Sequence, residues 1–189
     1  MFRVLQLCDE FRNKADYFPT YPKSILRLKL EIGVALKGEF PNDVVIEIAN
    51  SKTQSDLYEL GGVFYCSGNL KTAIEKVDDT CQFFPVKSKF ADGLYPTDDW
   101  QTDFYVLNIT NRIAAIDPKG GKYKRHSGEI VEIISLKLDE EKLADVHICR
   151  LDEDFSIVVV SDHLVSSLQE SGINGAEIID PVDFSNEIS

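Results

Sequence analysis

Histidine is scarce in this chain, with three in 189 residues, and methionine and tryptophan occur once each. Cysteine occurs four times, as Cys8, Cys66, Cys81 and Cys149. No CxxC pair and no Cys/His spacing suited to zinc is present, which argues against zinc modules and dithiol redox motifs. Cys66 and Cys149 lie inside apolar runs, so the expectation is buried free thiols in a reducing compartment, the cytoplasm. No apolar run approaches the roughly 20 residues that span a bilayer. The N-terminus MFRVLQLCDEFRNK is broken by Cys8-Asp9-Glu10 and does not read as a secretory signal. Positive charge is also short, with 20 Lys plus Arg against 32 Asp plus Glu and a formal charge of -12. Such a field repels phosphate backbones and anionic lipid. It argues against nucleic acid and membrane as partners and favours a cationic one, unless it serves solubility alone.

What is present suits a packed domain. Hydrophobic residues make up 43% of the chain, too many for disorder. Leu28 to Leu36 alternates apolar and polar residues and predicts a half-buried strand. Val44 to Ile48 predicts another, opened by the turn residues Pro41-Asn42-Asp43. Asn50 to Asp56 is polar and reads as a loop. Val63 to Cys66 predicts a short buried strand. Ser67 then stands where an N-cap belongs, and Leu70, Ala73, Ile74 and Val77 give the stripe of a helix with one buried face. Phe83-Phe84-Pro85 reads as a strand end or edge. Phe90 to Asp103 collects turn residues, acids and Trp100, and marks a junction.

Phe104 to Asp117 predicts a strand, and Lys119 to Ser127 a glycine-rich basic loop. Glu129 to Leu138 predicts a strand, and Asp139 to Leu143 a helical turn. Val146 to Leu151 and Ile157 to Val160 are strands around the acidic turn Asp152-Glu153-Asp154. Ser161 caps a second helix, with Asp162 in its first turn and Leu164, Val165 and Leu168 facing inward. Gly172 ends that helix in the left-handed conformation, and Ile173 closes over it. Aligning Ser67 with Ser161 matches Leu70 to Leu164 and Ile74 to Leu168. With a two-residue insertion, Pro85 falls on Pro181. The fold class expected is α+β, with antiparallel-rich sheets, a few short helices and a strand-helix-strand unit present twice. The chain reads as one domain, 1–189, with lobes 1–98 and 99–189 if the unit is a duplication.

The order YVLNITNRIAAID, EIVEIISLKLDEEKL, HICRL and IVVVSDHLVSSLQESGINGAEIIDP resembles a bacterial family of immunity proteins of polymorphic toxin systems, immunity family eleven. The resemblance covers Phe104 to Val182 and, more weakly, Asp43 to Val86. Its strongest part is a Ser-acid, leucine and glycine pattern carried by Ser161, Asp162, Leu164, Leu168, Gly172, Gly175 and Glu177. The chain departs from the family at Ile178-Ile179, where an aromatic residue is frequent, and at His163, where a basic residue is usual. The resemblance implies a protein that binds and blocks a cognate protein toxin by occlusion. Such a toxin would be basic, by analogy with toxins that act on phosphate substrates. No cofactor and no catalysis is implied, and the oligomeric state is left open.

Reactive arrangements are few. His163 follows Ser161-Asp162, but neighbours on a helix point in different directions and cannot form a Ser/His/Asp triad alone. His147 lies in an apolar strand and reads as structural. Lys122, Lys124 and Arg125, in the run from Asp117 to His126, could hold a phosphate with the loop amides, but no P-loop spacing is present. The alternative is a surface loop. Acidic clusters occur at Asp98-Asp99 with Asp103, at Asp139-Glu140-Glu141 and at Asp152-Glu153-Asp154, none with EF-hand spacing. Trp100 among its acids is the best anchor for a partner, because binding energy concentrates in aromatic residues. The partner-binding candidates are therefore Asp98, Asp99, Trp100, Asp103, Asp152, Glu153 and Asp154. No catalytic, cofactor or metal residue is expected. Two rival readings stand beside this one: a small hydrolase or transferase using the acids of Asp98 to Asp103, and a regulatory subunit with a permanent protein partner.

Overall fold

The computed structural model describes residues 1–8, 24–38, 40, 41, 44–49, 55–60, 62–91 and 101–187. In chain order these form β1 (Phe2–Leu7), α1 (Ser24–Glu31), β2 (Val45–Ala49), β3 (Leu57–Leu60), β4 (Val63–Ser67), α2 (Gly68–Glu75) and β5 (Gln82–Ala91). There follow β6 (Gln101–Asn108), β7 (Arg112–Ile113), β8 (Lys122–His126), β9 (Glu129–Ser135) and a 3-10 turn at Glu140–Leu143. The chain continues through β10 (Ile148–Leu151), β11 (Val158–Ser161), α3 (Asp162–Glu170), β12 (Ala176–Ile179), a 3-10 turn at Pro181–Asp183 and β13 (Asn186–Glu187). The strands build three mostly antiparallel sheets, β12-β1-β11-β10-β7, β2-β5-β6-β4-β3 and β13-β9-β8. The fold is α+β.

The two five-stranded sheets share one arrangement. In each, a hairpin leads into a capped helix and then into a strand parallel to the second hairpin strand, with one antiparallel strand between them. The first series is β3-β4-α2-β5 with β6 inserted, and the second is β10-β11-α3-β12 with β1 inserted. The inserted strand comes from the opposite part of the chain in each case. Lobes cut at 1–98 and 99–189 therefore do not follow the sheets: β1 belongs with the second series, and β6 with the first. The helices meet each other, and Ser167 Oγ donates to the Ala73 carbonyl at 2.9 Å.

Both sheets are buried on two faces. The inner faces join α2 and α3 in one core that includes Leu5, Leu7, Phe64, Leu70, Ile74, Leu107, Val158, Val160, Leu164 and Leu168. The outer face of the β1 sheet is covered by β9 and the turn around Leu143. The outer face of the β6 sheet is covered by Leu30 of α1, with Leu36 and Val44. Two-sided burial explains why β4 and β11 read as unbroken apolar runs rather than as alternation.

Several local expectations change. The segment expected as a strand from Leu28 to Leu36 contains the end of helix α1 instead. Its residues Leu, Arg, Lys and Glu are strong helix formers, and Arg27 Nε meets Glu31 at 2.5 Å, one turn on. Gly33, at φ +68°, then ends it: Gly33 N–H donates to the Leu30 carbonyl at 3.2 Å and Val34 N–H to that of Lys29 at 2.8 Å. The basic run from Lys119 to Ser127 is not all loop, because Lys122–His126 pairs with β9. The two-residue turn Ser127-Gly128, at φ +52° and +93°, closes that hairpin. The strand expected from Phe104 to Asp117 stops at Asn108, where the chain leaves one sheet for the other. The polar residues there redirect it: Asn108 Nδ2 donates to the Val34 carbonyl at 2.9 Å and Thr110 Oγ1 to that of Thr80 at 2.9 Å. The strand at Phe83-Phe84 runs through Pro85 to Ala91. Pro85 pairs with Tyr105 of β6, and β2 pairs with β5 from Val45, opposite Lys87, so among the described residues β5 has one strand neighbour at Pro85.

Candidate functional site

The second capped helix gathers most of the groups that invite a catalytic reading. Ser161 Oγ accepts from Leu164 N–H at 3.2 Å and lies 3.0 Å from His147 Nδ1. The imidazole tautomer decides which of the two donates, and the cap bond uses the hydroxyl oxygen in either case. The His163 ring packs edge-on to His147 with centroids 5.2 Å apart. Asp162 turns away to the N-terminal ammonium at 3.6 Å and to Arg3 Nε at 3.8 Å. Among the described residues no carboxylate orients His147, and Ser161, Asp162 and His163 act as cap, charge partner and ring contact. The pairing of Ser161 with His147 escapes sequence reading because it depends on the register of β10 against β11.

Part of the basic run is engaged within the chain. The Asp117 carboxylate takes the Lys119 N–H at 2.9 Å, and hydrogen bonds from Lys119 and Gly120 hold its pKa below the usual carboxylate value, aided by the charges of Lys137 and Lys119. Arg125 spends its guanidinium on the Gly128 and Pro118 carbonyls at 3.1 and 2.9 Å, and Lys124 Nζ meets Glu132 at 2.6 Å.

All four cysteines are free. Burial pushes the Cys66 and Cys81 thiols well up and that of Cys149 to about 12, so these three stay protonated at neutral pH. Among the described residues, no group of three or more His, Cys, Asp or Glu gathers as metal ligands would. No helix among them is long and apolar enough to cross a membrane.

The partner-binding candidates divide. Asp98, Asp99 and Trp100 lie outside the described residues. Asp103 is exposed, and its carboxylate lies against Gly68 at the start of α2. Asp152 receives Arg112 through Nε at 3.0 Å and through a terminal nitrogen at 2.5 Å. Arg112 in turn stacks over Phe155 at 4.4 Å. Glu153 accepts the Ile116 N–H at 3.0 Å, and Asp154 accepts from Ser156 N–H at 3.0 Å and from Asn186 Nδ2 at 3.1 Å. Each acid of that turn therefore has an internal partner. Asp103 also stands apart from that turn. Arg150 joins the β10–β11 turn to the β3–β4 turn, whereas Asp103 stands at the far end of β4, beside the Ser67 cap.

Arg150 is a residue that sequence reading passed over. It is 1% exposed. Its guanidinium donates to the Phe155 carbonyl at 2.6 Å, the Gly62 carbonyl at 3.4 Å and the Leu30 carbonyl at 3.5 Å, over the Phe64 ring at 5.1 Å. Burial lowers its pKa to about 10, which leaves it charged at neutral pH. Nothing in the run HICRL separates it from a surface arginine.

A cavity of about 470 Å³ opens beside β1. Its walls come from β1, from Glu59 of β3, from Ser156-Ile157 before β11 and from Phe184 to Asn186.

The chain matches the model of the Immunity protein family (Imm11) over residues 4–183 and belongs to that family. The match spans both sheet series, including the segment before Phe104. A comparison with curated proteins found no match.

Proposed function

We propose that this chain binds a cognate protein toxin and neutralises it by occlusion, with no reaction of its own. The observation that carries this reading is the family match over residues 4–183, because an immunity role calls for a partner to be blocked. The internal employment of Ser161, Asp162, His147 and the acids of the β10–β11 turn is compatible with it. A net charge of -12 favours a basic toxin and disfavours nucleic acid and anionic membrane. The protein acts in the cytoplasm as one domain. Asp98, Asp99, Trp100 and Asp103 make one contact segment, and Asp152, Glu153 and Asp154 make another.

The test is co-expression with the toxin encoded beside this gene. Colony counts should be restored by this chain and not by an unrelated immunity protein. Undiminished killing, with both proteins expressed and soluble, would sink the reading.

A further inference from the structure

Asparagine occurs eight times in the chain, and Asn174 alone precedes a glycine. The pair lies between α3 and β12, within the pattern from Ser161 to Glu177 that carries the family resemblance. Packing fixes its second member. Gly175 takes φ +85°, and a Cβ there would fall 1.7 Å from Ser55 Oγ. Asn174 is exposed. Its carboxamide carbon can close a five-membered ring with the Gly175 nitrogen, which no side chain crowds. Among the described residues the Gly175 N–H donates to no backbone carbonyl. Three bonds of 2.9 Å clamp the pair: Asn174 N–H donates to Asp56 Oδ2, the Asn174 carbonyl accepts the Asp56 N–H, and the Gly175 carbonyl accepts the Cys8 N–H. Asp56 leads into β3 and Cys8 follows β1, so the clamp joins the two five-stranded sheets.

We propose that Asn174 is a site of spontaneous deamidation, at which water converts the Asn-Gly link to an isoaspartyl or aspartyl link and loosens the junction of the two sheets. The Gly175 nitrogen gives its proton to hydroxide and forms a bond to Asn174 Cγ. The side-chain nitrogen takes a proton from water and leaves as ammonia, and a cyclic imide remains. Water then opens the imide at either carbonyl. One opening gives aspartate. The other gives isoaspartate, in which the main chain runs through the former side chain and is longer by a carbon atom. The net change consumes water and releases ammonia, and nothing is oxidised or reduced. Either product adds a carboxylate beside the clamp that Asp56 makes, and like charges there repel. The longer main chain of isoaspartate also displaces Gly175, so the bonds to Asp56 and Cys8 cannot both keep their geometry. In the folded chain the clamp slows the step, because the ring closes only when the Asn174 backbone turns, which takes a local opening.

The test incubates the full folded chain at mildly alkaline pH, beside a sample unfolded in guanidinium. Both are digested, and the peptide carrying residue 174 is followed by mass and retention time. It should gain one mass unit and split into two products of equal mass, sooner as the pH rises. The unfolded sample should convert faster than the folded one. Peptides carrying Asn69, Asn111 and Asn186 should stay unchanged over the same time in the folded chain. Asn174→Gln keeps the backbone bonds of the clamp and should give no such products. An unaltered Asn174 in the folded chain, in the presence or absence of conversion in the unfolded one, overturns the proposal. Conversion of the other asparagines at the same rate overturns it as well. The converted fraction, separated by its added negative charge, should melt at a lower temperature than the parent protein. Equal melting of the two fractions would overturn the loosening of the junction.

Discussion

Arg150 shows how much one residue can organise. Its guanidinium reaches three carbonyls on three segments, the end of α1, the β3–β4 turn and the turn after β10. No carboxylate approaches it within salt-bridge distance among the described residues, so its buried charge is held by carbonyl dipoles and by the more distant charges of Glu59 and Glu31. Replacement by alanine leaves a cavity and removes a donor from three carbonyls, of which that of Leu30 keeps the Gly33 N–H. Arg150→Ala should therefore lose about 3 kcal/mol or more of unfolding free energy in urea. Arg150→Met keeps much of the packing on Phe64 and removes the charge, and it should cost clearly less. A loss below about 1 kcal/mol for the alanine variant would show that these hydrogen bonds are spent as cheaply in the unfolded chain.

At the level of the element, α1 and α3 end by the same device and differ in what surrounds it. Gly33 and Gly172 both take positive φ, at +68° and +63°. Each is followed by an apolar residue whose N–H returns to the last turn, Val34 to Lys29 and Ile173 to Leu168. A methyl group added at Gly172 meets open space, whereas at Gly33 it runs into the Ile109 carbonyl and the Arg150 side chain. Gly172→Ala should thus cost only the left-handed backbone penalty, roughly 1–2 kcal/mol. Gly33→Ala should cost more than that, because backbone must move. Thermal melts of the two variants side by side check the order, and equal losses would mean that α1 can shift without resistance. The motif at Gly172 was legible because a clean amphipathic stripe precedes it. The motif at Gly33 was not, since Leu28, Leu30, Ile32, Val34 and Leu36 alternate well enough to imitate a strand.

Over the whole molecule, the two sheet series exchange a strand. β1 lies between β11 and β12, and β6 between β4 and β5. A cut at residue 98 removes an interior strand from each sheet. Fragments 1–98 and 99–189 should therefore show no cooperative unfolding transition when produced separately. Chemical denaturation followed by tryptophan and tyrosine fluorescence would detect one. A sharp transition in either fragment would mean that the series fold independently and exchange strands only afterwards.

The sequence by itself determined the capped helices at Ser67 and Ser161, the buried strands beside them, the thiols without partners and the kinship carried by residues Ser161 to Glu177. These depend on spacing within a few residues, where cap chemistry and helical periodicity act. Tertiary structure alone decided which strands became neighbours, that Lys122–His126 would be an edge strand, that His147 would meet Ser161, and that Glu59 and Asn186 would face one cavity from distant parts of the chain. Such pairings are set by sheet register and by burial on two faces, and no local pattern of residues encodes either.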